Sequence, residues 1–339
     1  MRSEVEENHQ WKQPEWRSSA LDWIRREVGR LGLNITGEPE QFHITDWSTV
    51  IRVPVDSENV YFKAVKPERR FEIEVTQLLS NHHPQQMPTV LAIHPQQAWM
   101  LTGDMGGQYR VMLRTTGDLT PLERALPIFA EIQMESIPHL DDFVSLGVPQ
   151  HLVPDIPNYL DEMLADKSLL KSSEYALSDE QIAQLSGFRP MVADMAVDLA
   201  GSRITHAIHH DDLHDANLFI KDQQICFSDW GDCTVTHPFF SLLILMRSTS
   251  DSLKCRENDP RILKLRDIYL EQWLEYDLMD QLKIQFSTAW RLGMINRAYS
   301  WFTDLKSYEE PYRTRYAYTV PGWLGDFIET MQAPPEDNP

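Results

Sequence analysis

The residues best suited to chemistry lie in the segment His210–Asn217 and at Asp229, which follows it. Asn217 stands five residues after Asp212, and Asp229 comes after two short apolar segments. In phosphoryl transfer, one carboxylate accepts the proton of the attacking hydroxyl, while an asparagine and a second acid hold the Mg²⁺ that bridges the nucleotide phosphates. The order and spacing therefore indicate phosphoryl transfer, with Asp212 as the base and with Asn217 and Asp229 as magnesium ligands.

A β-hairpin is expected to position these three side chains. The segments Leu218–Ile220 and Ile225–Phe227 are apolar, and Lys221–Gln224 between them is a polar turn. Such a hairpin would bring the three side chains to one end of the same small sheet.

In this region the chain resembles the aminoglycoside phosphotransferase and choline kinase-like family, whose pattern is H-G-D-L-H-x-x-N followed, after an apolar strand, by I-D-W/F. The corresponding residues here are His210–Asn217 (HDDLHDAN) and Phe227–Trp230 (FSDW). Asp211 departs from this pattern because it replaces a glycine. A second departure is Ser241 in Thr236–Leu242 (THPFFSL), where the family usually has G-D-P-x-x-D-L and the last aspartate braces the catalytic loop. The resemblance implies a small-molecule kinase with an α+β, bilobal, protein-kinase-like fold, in which a small antiparallel β-sheet lobe precedes a large, mostly helical lobe.

The resemblance also implies a lysine that binds the nucleotide phosphates. Lys63 is a single charge within the apolar strand Val60–Val65, where a kinase places the lysine that meets the α- and β-phosphates. Lys66, just past the strand, is the competing candidate. An acid on the next helix would hold the lysine, and of Glu72 and Glu74 we favour Glu74 because it matches the family spacing E-x-x-x-L.

The loop that would cover the phosphates, residues 45–49, contains no glycine-rich motif, so protein-kinase glycine loops and Walker ATPases are not supported. In this loop Ser48 or Thr49 would donate hydrogen bonds to phosphate. The other interpretation is a plain hairpin in which Trp47 packs.

By the family's geometry, the adenine would meet backbone groups between Leu101 and Met105, including Asp104. Tyr61 lies on the same strand face as Lys63 and would either stack on the adenine differently or narrow the pocket. The implied cofactors are ATP, with GTP as an alternative nucleotide, and Mg²⁺.

Composition limits the partners. The formal net charge is −20 over 339 residues, which disfavours nucleic acid and anionic membranes and suits a cationic small molecule that carries the acceptor hydroxyl. The other interpretation is that the excess of Asp and Glu only keeps the protein in solution. No apolar run approaches the roughly 20 residues that span a bilayer. The polar start argues against a secretory signal, and three cysteines without a C-x-x-C pair argue against a disulfide framework. We expect a cytoplasmic protein, whose oligomeric state the sequence does not indicate.

Hydrophobic periodicity changes from strand-like to helical along the chain. We expect a first helix from Ser18 to about Leu31, then five strands and one helix, and then a series of helices. The expected organisation is an N-terminal tail and helix (1–31), a small β-rich nucleotide-binding lobe (32–103) with a hinge near 103–107, a large helical lobe (108–332) that contains the catalytic hairpin (204–232), and a disordered tail (333–339).

Two other functions stay open at this point. Asp211, Ser241 and Tyr61 are compatible with a kinase-like nucleotide-binding or scaffold protein that has no turnover. The histidines and aspartates between His206 and Asp215 are compatible with a metal-dependent hydrolase, although Asn217 would then have no role.

Overall fold

An antiparallel sheet of five strands dominates the first of two compact units in the computed structural model, which describes residues 10–56, 58–171, 173–308, 310–334 and 339. The strands pair in the order β1-β2-β3-β5-β4. They are β1 (Glu40–Ile44), β2 (Ser48–Val55), β3 (Glu58–Val65), β4 (Val90–His94) and β5 (Trp99–Gly103). The five strands expected from the sequence are confirmed.

The side chains of β3 alternate between two faces, as they must in a strand. Val60, Phe62 and Ala64 are buried in the hydrophobic core, whereas Tyr61 and Lys63 point to the opposite face and are only partly buried. The alternation therefore places Lys63 on the face opposite to the hydrophobic core.

The core of the first unit is completed by the helix α1 (Pro14–Arg30), which contributes Trp23, Ile24 and Val28. This helix begins four positions before the expected Ser18, because proline suits the first helical turn. Trp11 is also buried, so the part of the expected N-terminal tail that the structure describes before this helix packs against the first unit. Residues 1–9 and 335–338 of the two expected tails lie outside the described residues.

The first unit also contains the expected hairpin. Leu218–Lys221 pairs with Gln224–Phe227 and, on its other side, with Gly107–Gln108. Gly106 has φ +86°, and a Cβ there would lie 2.2 Å from the Ile220 carbonyl oxygen, so only glycine permits this close approach. Accordingly Leu218–Gly231 belongs to the first unit, whereas the sequence had led us to place it in the large lobe.

The second unit comprises Tyr109–Asn217 and the chain from Asp232 onward, and it is mostly helical. Its one two-stranded sheet among the described residues pairs Ala207–His209 with Thr234–Thr236. Its helices of eight residues or more are Tyr109–Thr116, Thr120–Ser136, Ile156–Ala165, Asp179–Ala200, Ser241–Leu253, Pro260–Glu271, Met279–Ser307 and Thr319–Gln332. In the described parts of the chain, no helix is both long and apolar enough to cross a membrane.

Candidate active site

Lys63 is the centre of a charge cluster in the first unit. Its Nζ lies 2.8 Å from Asp229 Oδ1 and also forms an ion pair with Glu72. Burial lowers the pKa of Lys63, but the charges of Asp229 and Glu72 outweigh burial and raise it above its ordinary value. The lysine is therefore a permanent cation held between two carboxylates.

The partner of Lys63 on the following helix is Glu72 and not Glu74, so the sequence-based preference was wrong. The helix Phe71–His82 buries Glu72 together with Val75, Thr76 and Leu79. These positions follow one another at helical spacing and form the face directed to the interior. Glu74 lies two positions further on, which is the opposite side of a helix.

Asp229 reaches Lys63 because the hairpin is hydrogen-bonded to the segment that follows the helix Phe71–His82. The Phe227 amide donates to the Gln86 carbonyl across 2.7 Å, and Asp229 follows two residues later. The Asp229 backbone is left-handed, with φ +67°, which aspartate tolerates better than most residues. Its side chain is 47% exposed, so the carboxylate is accessible as well as paired.

Gly231 was not assigned a role from the sequence, and it contacts the same cluster. A Cβ at this position would lie 2.6 Å from Glu72 Oε2. The Gly231 carbonyl also accepts a hydrogen bond of 3.3 Å from Arg69, whose guanidinium lies 5.6 Å from the centre of the Trp47 ring. Glu72 can approach Lys63 because residue 231 has no side chain.

The structure does not support Ser48 as a phosphate donor. Ser48 is buried, its amide donates to Thr45 Oγ1 across 3.0 Å, and its hydroxyl lies 3.1 Å from the same atom. The Thr49 hydroxyl is used as well, since it donates to the His43 carbonyl. These groups close the turn between β1 and β2, so they are engaged before any phosphate arrives.

The two positions expected near adenine lie at the end of β5. Leu101 is fully buried and pairs with Phe62 across the sheet. Asp104 accepts a hydrogen bond of 2.7 Å from the Gly106 amide, so its side chain stabilises the turn after β5.

In the second unit, the loop His210–Asn217 carries the proposed base. The Asn217 side chain donates to the Asp212 carbonyl across 3.0 Å, and the Asn217 backbone amide donates to His214 Nδ1 across 3.1 Å. Asp212 Oδ2 lies 3.5 Å from His214 Nε2, and the Asp212 side chain is 30% exposed. Hydrogen bonds within the loop thus set the positions of Asp212 and Asn217 relative to each other.

Three carboxylates of the second unit converge on Arg297, which was not identified from the sequence. The guanidinium lies 3.1 Å from Asp212, 3.2 Å from Asp211 and 3.3 Å from Asp232. Asp232 is therefore an ion-pair partner of a buried arginine. One signal in the sequence could have identified Arg297. It lies at helical spacing from residues that share the buried face of the helix Met279–Ser307, namely Trp290, Gly293 and Met294.

The two departures from the family pattern are connected through His209. Ser241 Oγ lies 2.7 Å from His209 Nδ1, and His209 Nε2 lies 2.9 Å from Asp211 Oδ1. The Ser241 hydroxyl also accepts a hydrogen bond of 3.3 Å from the His210 amide. Ser241 therefore contacts the loop directly, at the position where the family has its bracing aspartate. Asp211 is consequently a buried acid with defined partners.

No group of three or more His, Cys, Asp or Glu side chains within the described residues is arranged to hold a metal ion. In the second unit, Asp211, Asp212 and Asp232 surround a guanidinium instead. This arrangement does not favour the metal-hydrolase interpretation.

Several solved structures share this architecture. The GDP complex of a mutant aminoglycoside 2'-phosphotransferase-IIIa has a TM-score of 0.62 and 14% identity, covering 92% of this chain and 97% of that chain. A choline/ethanolamine kinase family protein from Mesorhizobium loti has a TM-score of 0.62 and 12% identity, covering 93% and 96% of the two chains. Choline kinase from Cryptosporidium parvum has a TM-score of 0.60 and 13% identity, covering 92% and 94%.

No protein-family model and no curated protein matches the sequence. The structural likeness nevertheless extends over nearly the whole chain in each of the three comparisons. It confirms the resemblance at the level of architecture, and the chain has the protein-kinase-like α+β fold of the aminoglycoside phosphotransferases and choline kinases.

Proposed function

We propose that this protein is a small-molecule kinase, which transfers the γ-phosphoryl group of a nucleoside triphosphate to a hydroxyl group. The observation that carries the proposal is the contact of Lys63 with both Glu72 and Asp229. Lys63 and Glu72 are largely withdrawn from water, which is costly unless the two charges stabilise each other or a ligand. A lysine with this environment, on a strand of a kinase-like fold, is suited to bind nucleotide phosphates.

Asn217 and Asp229 are the residues that we propose for Mg²⁺. Both offer hard oxygen donors, the kind that Mg²⁺ prefers. The Asn217 side-chain nitrogen donates to the Asp212 carbonyl, which leaves the side-chain oxygen as the ligand atom, and Asp229 is accessible. Bound Mg²⁺ would neutralise charge on the β- and γ-phosphates.

Asp212 is the proposed base. Its partly exposed carboxylate would orient the acceptor hydroxyl and receive its proton as the oxygen attacks the γ-phosphorus. Lys63, kept cationic by Glu72, would hold the α- and β-phosphates of the nucleotide that becomes the diphosphate product. The chain thus contributes positioning and charge, which supply most of the rate gain in such reactions.

The acceptor class follows from charge and from the neighbours' names. The neighbours include aminoglycoside phosphotransferases, one of them in complex with kanamycin, and choline and ethanolamine kinases. The formal charge of −20 favours an acceptor that carries amino or ammonium groups. ATP is the proposed donor, and GTP is the alternative because GDP is bound in several of the neighbours.

Thermal unfolding with ATP, with GTP and without nucleotide, each with and without Mg²⁺, tests the nucleotide site. A ligand at about 100 times its dissociation constant stabilises the native state by about 2.7 kcal/mol, which is a measurable shift in Tm. A shift that requires Mg²⁺ supports the proposal, and no shift with either nucleotide contradicts it.

Transfer of radiolabelled γ-phosphate to a panel of amino sugars, amino alcohols and neutral sugars tests turnover. Labelled product with any acceptor supports the kinase. Mg²⁺-dependent nucleotide binding without transfer to acceptor or to water would instead indicate a nucleotide-binding protein without turnover.

A further inference from the structure

Arg297 is a buried cation in direct contact with the proposed base. Its side chain is 6% exposed, whereas that of Asp212 is 30% exposed. Its Nη2 donates to Asp212 Oδ1 across 3.1 Å, and Nη1 lies near Asp211 and Asp232. The guanidinium therefore contacts Asp212 from the interior, while the carboxylate stays accessible to a substrate.

The guanidinium is itself held in place. Its carbon lies 5.4 Å from the centre of the Trp301 ring, within the range of a cation–π contact. Asp211 links it to His209, and His209 links to Ser241, which in turn accepts a hydrogen bond of 3.1 Å from Gln133. A continuous series of contacts thus runs from the buried interior to Asp212.

The charges agree with this geometry. Burial raises the pKa of Asp211, but Arg297 and His209 outweigh burial and lower it below its ordinary value. Burial lowers the pKa of Arg297, but Asp211, Asp212 and Asp232 outweigh burial and raise it. Both members of the buried pair are therefore ionised, and each stabilises the charge of the other.

We propose that Arg297 is a positioning residue for phosphoryl transfer, which orients the Asp212 carboxylate, and that Asp211 and His209 hold Arg297 in that position. This inference rests on the proposed function. A guanidinium is suited to the task because its planar set of donors can meet several carboxylates at once, which a lysine ammonium on a flexible stem cannot do in the same geometry.

Two substitutions separate charge from geometry. Arg297→Lys keeps the charge and loses the planar donors, and Arg297→Gln loses the charge. We expect both to lower kcat by about 10- to 100-fold, the scale of a small misplacement of a catalytic group. The KM for nucleotide should stay within about twofold, because the cluster around Lys63 is unchanged.

A second readout does not need activity. The crystal structures of the Arg297 variants are compared with that of the wild-type protein, without substrate. We expect the wild-type Asp212 carboxylate to keep one orientation, with Oδ1 3.1 Å from the Arg297 guanidinium. In Arg297→Gln and Arg297→Lys we expect this carboxylate to turn away from that position or to occupy more than one conformation.

Arg247→Lys is the matched control. Arg247 belongs to the same unit, lies 2.7 Å from Asp326 and stacks on Trp323 at 4.7 Å, so it shares the ion pair and the ring contact of Arg297. We expect Arg247→Lys to change neither kcat nor the orientation of the Asp212 carboxylate. Equal losses in the Arg297→Lys and Arg247→Lys variants would overturn the inference by indicating a general structural effect.

If Arg297→Gln alone does not fold, because the buried Asp211 has lost its arginine partner, the same measurements are made on the double variant Arg297→Gln/Asp211→Asn. A folded variant with wild-type kcat and an unchanged orientation of the Asp212 carboxylate would overturn the inference. Absence of nucleotide binding in the wild-type protein would contradict the proposed function instead, and the orientation of Asp212 in the Arg297 variants would still decide whether Arg297 positions this carboxylate.

Discussion

Lys63 Nζ and Asp229 Oδ1 lie 2.8 Å apart, although 166 positions separate the two residues in the chain. The contact depends on the hairpin Leu218–Phe227, which belongs to the same compact unit as β3. The proposed phosphate-binding lysine and the proposed magnesium ligand are thus brought together by folding of a single unit.

Asp229→Asn should abolish Mg²⁺-dependent nucleotide binding and leave the fold intact. Asparagine tolerates the left-handed backbone, and the ion pair is 47% exposed at Asp229, so the free energy of unfolding should change by about 1 kcal/mol or less. The stabilisation of about 2.7 kcal/mol by saturating Mg²⁺-nucleotide should be lost, as measured by Tm. An undiminished shift in this variant would contradict the magnesium assignment.

Glu72→Gln should weaken nucleotide binding, and Glu74→Gln should not. Glu72 is buried against Lys63, and removing its charge leaves Asp229 as the main counterion of the lysine. The loss of one charged hydrogen bond predicts a decrease in stability of about 1–3 kcal/mol, measured by denaturant unfolding. Glu74, on the same helix, is the matched control, and a stronger effect of Glu74→Gln would overturn the corrected assignment.

Gly231→Ala should separate Glu72 from Lys63, because the new methyl group would lie 2.6 Å from Glu72 Oε2. Overpacking of this kind costs about 1–3 kcal/mol, and nucleotide affinity should fall with it. Gly29→Ala is the control, since Gly29 lies in α1 and a methyl group there would meet nothing within 4 Å, so that alanine should stabilise the helix by about 0.5–1 kcal/mol. The measurements are Tm with and without Mg²⁺-nucleotide, and a Gly231→Ala protein with wild-type binding would contradict the prediction.

His237→Asn should flatten the loss of stability in acid. Burial, with a smaller contribution from His206 and His209, lowers the pKa of His237 from 6.5 to about 3. Between these values the unfolded chain binds a proton that the native protein does not, so stability falls as the pH falls, by up to about 1.4 kcal/mol per pH unit. Asparagine can accept the hydrogen bond from the Phe239 amide, as His237 does, without titrating. Urea unfolding at about pH 4.5 and pH 7, on either side of the ordinary histidine pKa, measures the free energy of unfolding of both proteins. The prediction would be refuted if this free energy fell by the same amount between the two pH values in the wild-type protein and in the variant.

Periodicity was sufficient to predict the strands and the shared face of Tyr61 and Lys63 on β3, which the burial of Phe62 on the other face agrees with. The same periodicity was not applied to the choice between Glu72 and Glu74 on the helix Phe71–His82. Glu72, Val75, Thr76 and Leu79 share one face, and that spacing would have identified Glu72, whereas the family spacing pointed to Glu74.

The contacts around Asp212 were beyond sequence reasoning for a different reason. Arg297 is 85 positions away, and only the packing of the long helix brings it to the loop. The available signal was that Arg297, a charged residue, falls on the apolar face of its helix. That signal does not identify the acids that pair with Arg297. For Ser48 the unpredicted contacts are local instead of distant. Its hydroxyl and its amide both contact Thr45 Oγ1 in the turn between β1 and β2, and the sequence did not indicate these contacts.

Membership of Leu218–Gly231 in the first unit has a consequence for synthesis of the chain. During translation the five strands of the first sheet emerge before residue 104, but Asp229 emerges more than a hundred residues later. Until then Lys63 has Glu72 but lacks its second carboxylate, and Gly107–Gln108 lacks its partner strand. A nascent chain can therefore form the sheet early, yet it acquires the complete charge cluster only after much of the second unit has been made.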